Sequence, residues 1–168
     1  MSESLDLDHV LHAIASAALE LVGCQRSAIF VLDEMEEVLK LEMTLGLSED
    51  YAEQSKTLPL VRDGRACAVV TGHPLIISDV LTDTSPFGYV PVSEREGFRA
   101  FADLPLKRAK RVIGMLSAMY TEPHDFSPIE VELLTALADQ AAIAIENARL
   151  YAETDYELQR QIEALDGL

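Results

Sequence analysis

The chain has no tryptophan and only two cysteines, Cys24 and Cys67, among its 168 residues. Two cysteines cannot form a disulfide framework, and neither belongs to the paired Cys/His spacing of a structural zinc site. We therefore expect reduced thiols, no bound metal and a cytoplasmic protein.

Basic residues are also scarce, since 13 Lys and Arg stand against 29 Asp and Glu and give a net charge of −16. A charge of this sign repels nucleic acid phosphates and anionic lipid headgroups. Long hydrophobic runs are missing too. Val112 to Tyr120 is too short to span a bilayer, and Met1 to Asp8 is acidic where a signal peptide would be basic. Neither nucleic acid nor a membrane is an expected partner.

What the chain does contain is 49% hydrophobic residues, enough to exclude general disorder and to build one core. Periodicity and turn residues predict the elements in the following order: a helix from Leu7 to Val22, strands Ser27–Leu32 and Leu39–Leu45, a short helix Arg65–Val70, strands Pro74–Ser78, Ala100–Leu106 and Val112–Tyr120, and a final helix. This order predicts an α+β fold, with an antiparallel sheet and the two terminal helices on one face.

The final helix, from Phe126 to Leu165, is the most informative segment. Ser127, Pro128 and Glu130 predict its start through a capping box. Its apolar seam keeps a four-three spacing, interrupted only at Asp155, through these residues: Leu137, Ala141, Ala144, Ala148, Tyr151, Asp155, Leu158, Ile162 and Leu165. About forty helical residues would extend on the order of 50 Å, past the edge of a small domain. The seam therefore predicts a parallel coiled coil with a second copy, in which Asp155 either sets the register or marks fraying.

Two segments between the predicted strands stand out. Asp79 to Arg99 mixes prolines and glycines with aromatic residues, and a long irregular segment inside a compact domain is usually functional. Lys107 to Arg111 holds four of the basic residues and lacks the Asn-Gly of a tight hairpin, so we expect a longer or less regular loop there. Its charges favour either a docking surface for an acidic partner or a protected sheet edge.

Several motifs, taken in order, resemble the GAF family of small-molecule sensory domains. They are GHPLIISD at Gly72 to Asp79, LPL at Leu104 to Leu106, VIGMLS at Val112 to Ser117, DFS at Asp125 to Ser127 and LLTALADQAAIAIENARLY at Leu133 to Tyr151. The resemblance implies a GAF/PAS-like central antiparallel sheet, with terminal helices on one face and a ligand pocket on the other. It also implies a GAF domain over residues 1–151 and a helical signalling extension over 152–168.

The family's known ligand classes can be compared with these residues. Covalent bilin attachment needs a cysteine in or after the irregular segment, and there is none between Thr71 and Leu168. The cyclic-nucleotide class carries an Asn-Lys pair, which is absent here, and a Phe followed after three residues by Asp-Glu. In this chain Phe126 is followed after three residues by Glu130-Val131. Reductase members use several cysteines around the pocket, and Cys67 alone cannot complete that cycle. The ligand and any cofactor remain unknown from the sequence.

The pocket candidates are the polar and aromatic residues of the irregular segment and the strands beside it: Asp79, Phe87, Tyr89, Arg95, Phe98, Arg99, Asp103 and Ser117. Strand alternation turns Leu104 and Leu106 towards the helices and Asp103 towards the pocket. There Asp103, with Arg95 or Arg99, would meet a polar or cationic ligand group. The alternatives are an internal salt bridge or a sheet edge exposed to water.

These observations predict a non-catalytic sensor that binds a small ligand and signals through a homodimer. The predicted interface residues are Leu137, Ala141, Ala144, Ala148, Tyr151, Leu158 and Ile162. Because the chain ends at Asp166-Gly167-Leu168 in helical character, we expect an output domain in cis, such as a histidine kinase of a two-component system or a diguanylate cyclase. The alternatives are a reductase-like enzyme built on the pocket, or a structural dimerisation module whose pocket is filled by Phe87, Phe98 and Met115.

Overall fold

The computed structural model of the chain describes residues 3–84 and 90–167. Its elements in chain order are α1 (Glu3–Val22), β1 (Arg26–Asp33), β2 (Val38–Leu45), α2 (Glu49–Gln54), β3 (Thr57–Pro59), α3 (Cys67–Thr71), β4 (Leu75–Ile77), α4 (Val90–Glu96), β5 (Ala100–Arg108), β6 (Arg111–Tyr120) and α5 (Pro128–Asp166). The predicted helices and strands are present, whereas α2, β3 and α4 were not predicted. In the described parts of the chain, no helix combines the length and apolar character that crossing a membrane requires.

The strands form one six-stranded sheet in the order β3-β2-β1-β6-β5-β4, and every neighbouring pair is antiparallel. The predicted antiparallel α+β fold is therefore confirmed. The long strands β1 and β6 lie at the centre of this order, with β5 beside β6, and most residues of β5 and β6 are buried. A polar side chain in the buried part of these two strands is therefore shielded from water.

The two terminal helices cover one face of the sheet. Alternate residues of β5, such as Ala102, Leu104 and Leu106, pack with α1 and α5 in one buried cluster, while Phe101 faces a second cluster on the other side. The predicted alternation along this strand is thus confirmed. The second face is covered by the shorter elements, among which α3 packs on β5 and β6.

Helix α5 starts as predicted and extends beyond the domain. Ser127 caps it, and the reciprocal bond that the Ser127 amide donates to the Glu130 side chain completes a capping box. Near the edge of the domain the Arg149 Nη2 donates to the carbonyl oxygen of Leu32 at 2.8 Å. Residues 150–167 are all exposed. The helix therefore has a packed first half and a free second half, and the division at residue 151 stays a prediction.

The hairpin between β5 and β6 corrects one prediction. Arg108 pairs with Arg111, so the connection is a two-residue turn and not a longer loop. Ala109 adopts a positive φ of 54°, and the register shifts between Leu106 and Lys107. The irregularity that the turn residues predicted is therefore present, but it is absorbed by one left-handed alanine and a bulge.

The basic residues at this turn are partly engaged within the chain. The Arg111 Nη2 lies 2.7 Å from the Glu34 Oε1, and the Arg108 Nε lies 3.6 Å from the Glu146 Oε1. The turn is thereby tied to the β1–β2 hairpin and to α5.

Candidate functional site

A small enclosed cavity lies on the sheet face opposite the terminal helices. Its volume is about 20 Å³, which corresponds to roughly one water molecule. Nine residues line it: Phe30, Tyr51, Arg65, Phe98, Phe101, Asp103, Met115, Ser117 and Met119. Three predicted pocket residues, Phe98, Asp103 and Ser117, meet here. Apart from Arg65, the other walls are aromatic or methionine side chains, which is typical of a small-molecule site with few polar groups.

Asp103 is the central polar group of the cavity. It lies opposite Ser117 in the β5–β6 ladder, and the Ser117 hydroxyl donates to its Oδ1 at 2.6 Å. Only 4% of the residue is exposed, and none of the ion pairs among the described residues includes it. Burial raises the pKa of Asp103 to about 7, although the Ser117 bond and the charge of Arg65 act in the opposite direction. The carboxyl group is therefore neither salt-bridged nor exposed to water.

Arg65 is a cation whose charge acts on this carboxyl group, and sequence reasoning missed it. Its Nη1 donates to the Ser55 hydroxyl oxygen at 2.8 Å, and its guanidinium carbon lies 5.2 Å from the ring centroid of Tyr51. Tyr51 is buried, which raises its pKa to about 12. Tyr51 belongs to the unpredicted helix α2, and Arg65 follows a turn without any motif. The one sequence signal for a role of Arg65 was its position as a long basic residue at the start of a predicted apolar helix.

Asp79 and Arg99 pair with each other and do not line the cavity. The Arg99 Nε donates to the Asp79 Oδ1 at 3.0 Å, and its Nη2 donates to Oδ2 at 2.8 Å. Asp79 also accepts from the Leu81 amide at 3.0 Å. The hydrogen bonds from Arg99 are the main cause that lowers the pKa of Asp79. This pair joins the two ends of the irregular segment.

Arg95 also lies outside the cavity, on the exposed side of α4. Its Nε lies 3.8 Å from the Asp50 Oδ2 of α2, and the neighbouring Glu96 accepts from both the amide and the hydroxyl of Ser48. These contacts hold α4 against the start of α2, which carries Tyr51. The two remaining candidates, Phe87 and Tyr89, fall outside the described residues.

A second polar cluster connects the sheet with the start of α5. The Tyr120 hydroxyl donates to the Val22 carbonyl oxygen at the end of α1 and lies 3.2 Å from the Glu130 Oε2. The His124 ring stacks on Tyr120 with centroids 3.9 Å apart, and its Nε2 lies 2.8 Å from the same carboxylate. The His124 amide donates to the Ser78 carbonyl oxygen at 2.9 Å. The start of α5 is thereby linked through Tyr120 to the end of α1, and through His124 to Ser78, the residue before Asp79.

The outer surface of α1 and α5 forms an open groove of about 520 Å³. Its lining residues are Asp6, Leu7, Val10, Gln140, Ile143, Ala144, Asn147, Ala148 and Tyr151. Three predicted interface residues, Ala144, Ala148 and Tyr151, belong to this groove. Leu158 and Ile162 lie farther along the helix and are 55% and 47% exposed.

Leu137 and Ala141 require a correction. They were predicted in the dimer interface, but they are only 6% and 0% exposed and pack in the core of the single chain. The reason is that the first half of α5 uses this stripe to cover the sheet. The groove and the exposed second half of α5 are the parts of the predicted interface that stay accessible to a second copy.

Neither thiol is activated. Cys24 and Cys67 are free and buried, and burial is the main cause that raises the pKa of both, to about 11 for Cys24. A thiol with a raised pKa supplies little thiolate at neutral pH. Within residues 3–84 and 90–167, no group of three or more His, Cys, Asp or Glu side chains is arranged to hold a metal ion.

Similar known structures share this architecture. A domain assigned to a two-component sensor histidine kinase of Sinorhizobium meliloti 1021 matches with a TM-score of 0.69 and 23% identity, covering 87% of this chain and 95% of that one. A GAF domain/HD domain protein of Geobacter sulfurreducens matches with a TM-score of 0.71 and 16% identity, covering 86% and 95%. A type II free methionine-R-sulfoxide reductase of Thermoplasma acidophilum matches with a TM-score of 0.70 and 18% identity, covering 87% and 96%. At these identities the likeness concerns the fold alone.

The family comparison covers most of the chain. The family model described as GAF domain matches residues 4–146, from the first helix to the packed half of α5. This range includes every residue that lines the cavity. The chain belongs to the GAF domain family.

Proposed function

We propose that the chain is a non-catalytic sensory module, which binds a small ligand in the cavity and signals through a dimer of α5. GAF domains are typically sensory domains of signalling proteins, and their members are mostly non-catalytic. The observation that carries the proposal is Asp103, a buried carboxyl group on a central strand that faces a cavity of aromatic and methionine side chains.

A purely structural explanation of Asp103 is unfavourable. Burying an ionisable group without a close counter-charge costs free energy, and an apolar residue would fill the same position more stably. The group is paired only with the Ser117 hydroxyl among the described hydrogen bonds. A ligand group that bonds to Asp103 would offset this cost when the site is occupied.

The signalling part of the proposal rests on the free half of α5. Tyr151, Leu158, Ile162 and Leu165 are 63%, 55%, 47% and 68% exposed, although they are large apolar residues. They repeat at four-three spacing, which favours a parallel two-stranded coiled coil with a second copy. The groove between α1 and α5 continues this surface along the domain.

Coupling would pass through the polar cluster at the start of α5. Phe98, which lines the cavity, lies in the segment between Asp79 and Arg99. At the start of that segment the Ser78 carbonyl oxygen accepts from the amide of His124, whose ring contacts the capping residue Glu130. A ligand shifts the packing of the two α5 helices only to the extent that it binds one packing better than the other. An output domain in cis, such as a histidine kinase or a diguanylate cyclase, would read that shift.

The second candidate is a structural dimerisation module. It is favoured by the cavity volume of about 20 Å³ and by Phe98 and Met115, which pack inward and are 4% and 2% exposed. A reductase function like that of the Thermoplasma acidophilum neighbour has less support, because the only two thiols are both buried.

Native mass spectrometry of protein purified without denaturation tests the proposal, since one spectrum gives both the oligomeric state and any bound mass. A dimer that carries a small-molecule mass is the expected result. A dimer without added mass, even after incubation with a cell extract of metabolites, would favour the structural module. A monomer at micromolar concentration would overturn signalling through α5.

A further inference from the structure

The charged groups of the cavity show which chemistry it is built to hold. Among the described residues that line the cavity, Asp103 carries the acidic group and Arg65 the basic one. All other walls are aromatic, methionine or serine side chains, and the ring of Tyr51 lies beside Arg65. We propose that the cavity recognises a small organic cation, an alkylammonium or alkylguanidinium, and that Arg65 occupies the place of this cation when no ligand is bound. The inference rests on the proposed sensory function of the same site.

The surroundings of Arg65 are those of a bound cation. Its guanidinium carbon lies 5.2 Å from the Tyr51 centroid, within the distance of about 6 Å at which a ring face attracts a positive charge. Asp103 supplies a carboxyl group that is buried beyond nine-tenths, and the charge of Arg65 acts on it. A carboxylate together with an aromatic face is the combination that binds organic ammonium groups in water-excluded sites.

Arg65 nevertheless has no carboxylate partner in this place among the described ion pairs. Its described side-chain hydrogen bond goes to the neutral hydroxyl of Ser55 at 2.8 Å. A ligand ammonium that reached Asp103 directly would form a charge-assisted hydrogen bond that Arg65 does not form. Exchange of the internal cation for an external one is therefore favourable at the carboxyl group.

Arg65 is also placed where it can leave. It lies on the connection between β3 and α3, just after a turn in which the Gly64 amide donates to the Val61 carbonyl oxygen at 3.0 Å. The residue is half-buried, so its long side chain reaches the cavity from the surface. Rotation of this side chain into solvent would add the volume of a guanidinium group to the cavity without moving a strand.

Calorimetric titration with three small aliphatic probes, the cations n-butylammonium and n-butylguanidinium and the anion butyrate, tests the inference. At about pH 8, where Asp103 is ionised, the two cations are expected to bind the wild-type protein and butyrate is not. Arg65→Ala removes the guanidinium that competes with the ligand, so every molecule is in the binding-competent state. Cation binding should therefore tighten about fivefold or more. Asp103→Asn should abolish cation binding. Arg62→Ala, a neighbouring arginine outside the cavity, is the matched control and should leave the affinity unchanged.

Two results would overturn the inference. If butyrate binds and Arg65→Ala abolishes that binding, Arg65 is a ligand for an anion; the sensory function survives and only the ligand class fails. If no cation binds to Arg65→Ala at millimolar concentration while its thermal melt shows a folded protein, the cation site does not exist. The fate of the sensory function is then decided separately by the bound mass in native mass spectrometry.

Discussion

At the scale of single residues, the carboxyl group of Asp103 ties folding to proton uptake. Ser117, Arg65, Tyr51 and Cys67 are the polar and titratable groups that interact with it. Burial raises its pKa from the ordinary 3.8 to about 7, so the folded chain keeps a proton that the unfolded chain releases. Between these two values the stability that this group contributes is lost as the pH rises.

Asp103→Asn should remove this dependence. The free energy of unfolding of the variant, minus that of the wild type, should increase from about pH 4 to about pH 7 and then stay level, with a total change on the order of 4 kcal/mol. Denaturant titrations at a series of pH values measure it. A difference that stays constant across this range would show that Asp103 is ionised throughout.

Asp79→Asn is the matched control, because the pKa of Asp79 is lowered and not raised. The stability from Asp79 is present above its ordinary pKa and is lost only when the pH falls through the lowered value. The difference in unfolding free energy between Asp79→Asn and the wild type should therefore stay constant over the pH range in which the difference for Asp103→Asn increases.

Gly114 gives a second prediction at this scale. A Cβ at this position would overlap the carbonyl oxygen of Phe30 and lie 2.8 Å from the Leu106 Cδ1, so the strands would have to move apart. Gly114→Ala should lower the free energy of unfolding by about 2 kcal/mol, as overpacking does. Gly64→Ala is the control, since its nearest atoms are 3.4 Å away and its φ is not positive, and it should be nearly neutral. Equal stabilities of the two variants would contradict the packing described for β1 and β6.

At the scale of elements, the cap of α5 can be tested by itself. The Ser127 hydroxyl oxygen accepts from the Glu130 amide at 3.2 Å. Ser127→Ala should cost about 1 kcal/mol of unfolding free energy, as the loss of an N-cap does. Thr135→Ala removes a hydroxyl of the same helix that only donates to the Val131 carbonyl oxygen, and it should be neutral or slightly stabilising. If both variants behave alike in denaturant titrations, the capping box does not stabilise the helix.

The elements also show what a sequence can and cannot predict. Helices α1 and α5 and the strands of the central sheet carry long periodic patterns, and they were predicted within a few residues. Helix α2 and strand β3 have only six and three residues, too few for a period to be visible. Contacts that are distant in sequence stabilise them, such as the hydrogen bonds that Ser48, the cap of α2, donates to Glu96.

The residues of the candidate site divide in the same way, into those near long elements that were predicted and those in short or irregular segments that were not. Asp103, Ser117 and Phe98 lie on or next to predicted strands, where alternation alone assigns a face. Tyr51 comes from the short helix α2 and Arg65 from the connection between β3 and α3, so their meeting at the cavity could not be predicted. Leu137 and Ala141 fit the seam equally well as core or as interface, because a heptad pattern does not say which surface it packs against.

At the scale of the whole molecule, dimerisation should depend on the free half of α5. Ile162→Asp places a charge in the predicted seam and should convert the dimer to a monomer at micromolar concentration, without changing the melting temperature of the domain. Sedimentation or light scattering measures the mass. Tyr156→Asp is the control, because Tyr156 is 65% exposed in the same segment but lies off the seam. If Ile162→Asp stays dimeric, the contact between copies lies elsewhere.

The polar attachments at the two ends of the packed half of α5 have a mechanical consequence. Glu130 is held near one end of the packed half and Arg149 near the other, so the supports are roughly 28 Å apart, and the overhang to Asp166 is roughly 25 Å. A stiff rod with this geometry is a lever with arms of nearly equal length. It reproduces a sideways shift of one support at its far tip without enlarging it. Whatever is connected to the overhang must therefore respond to displacements as small as those at the supports.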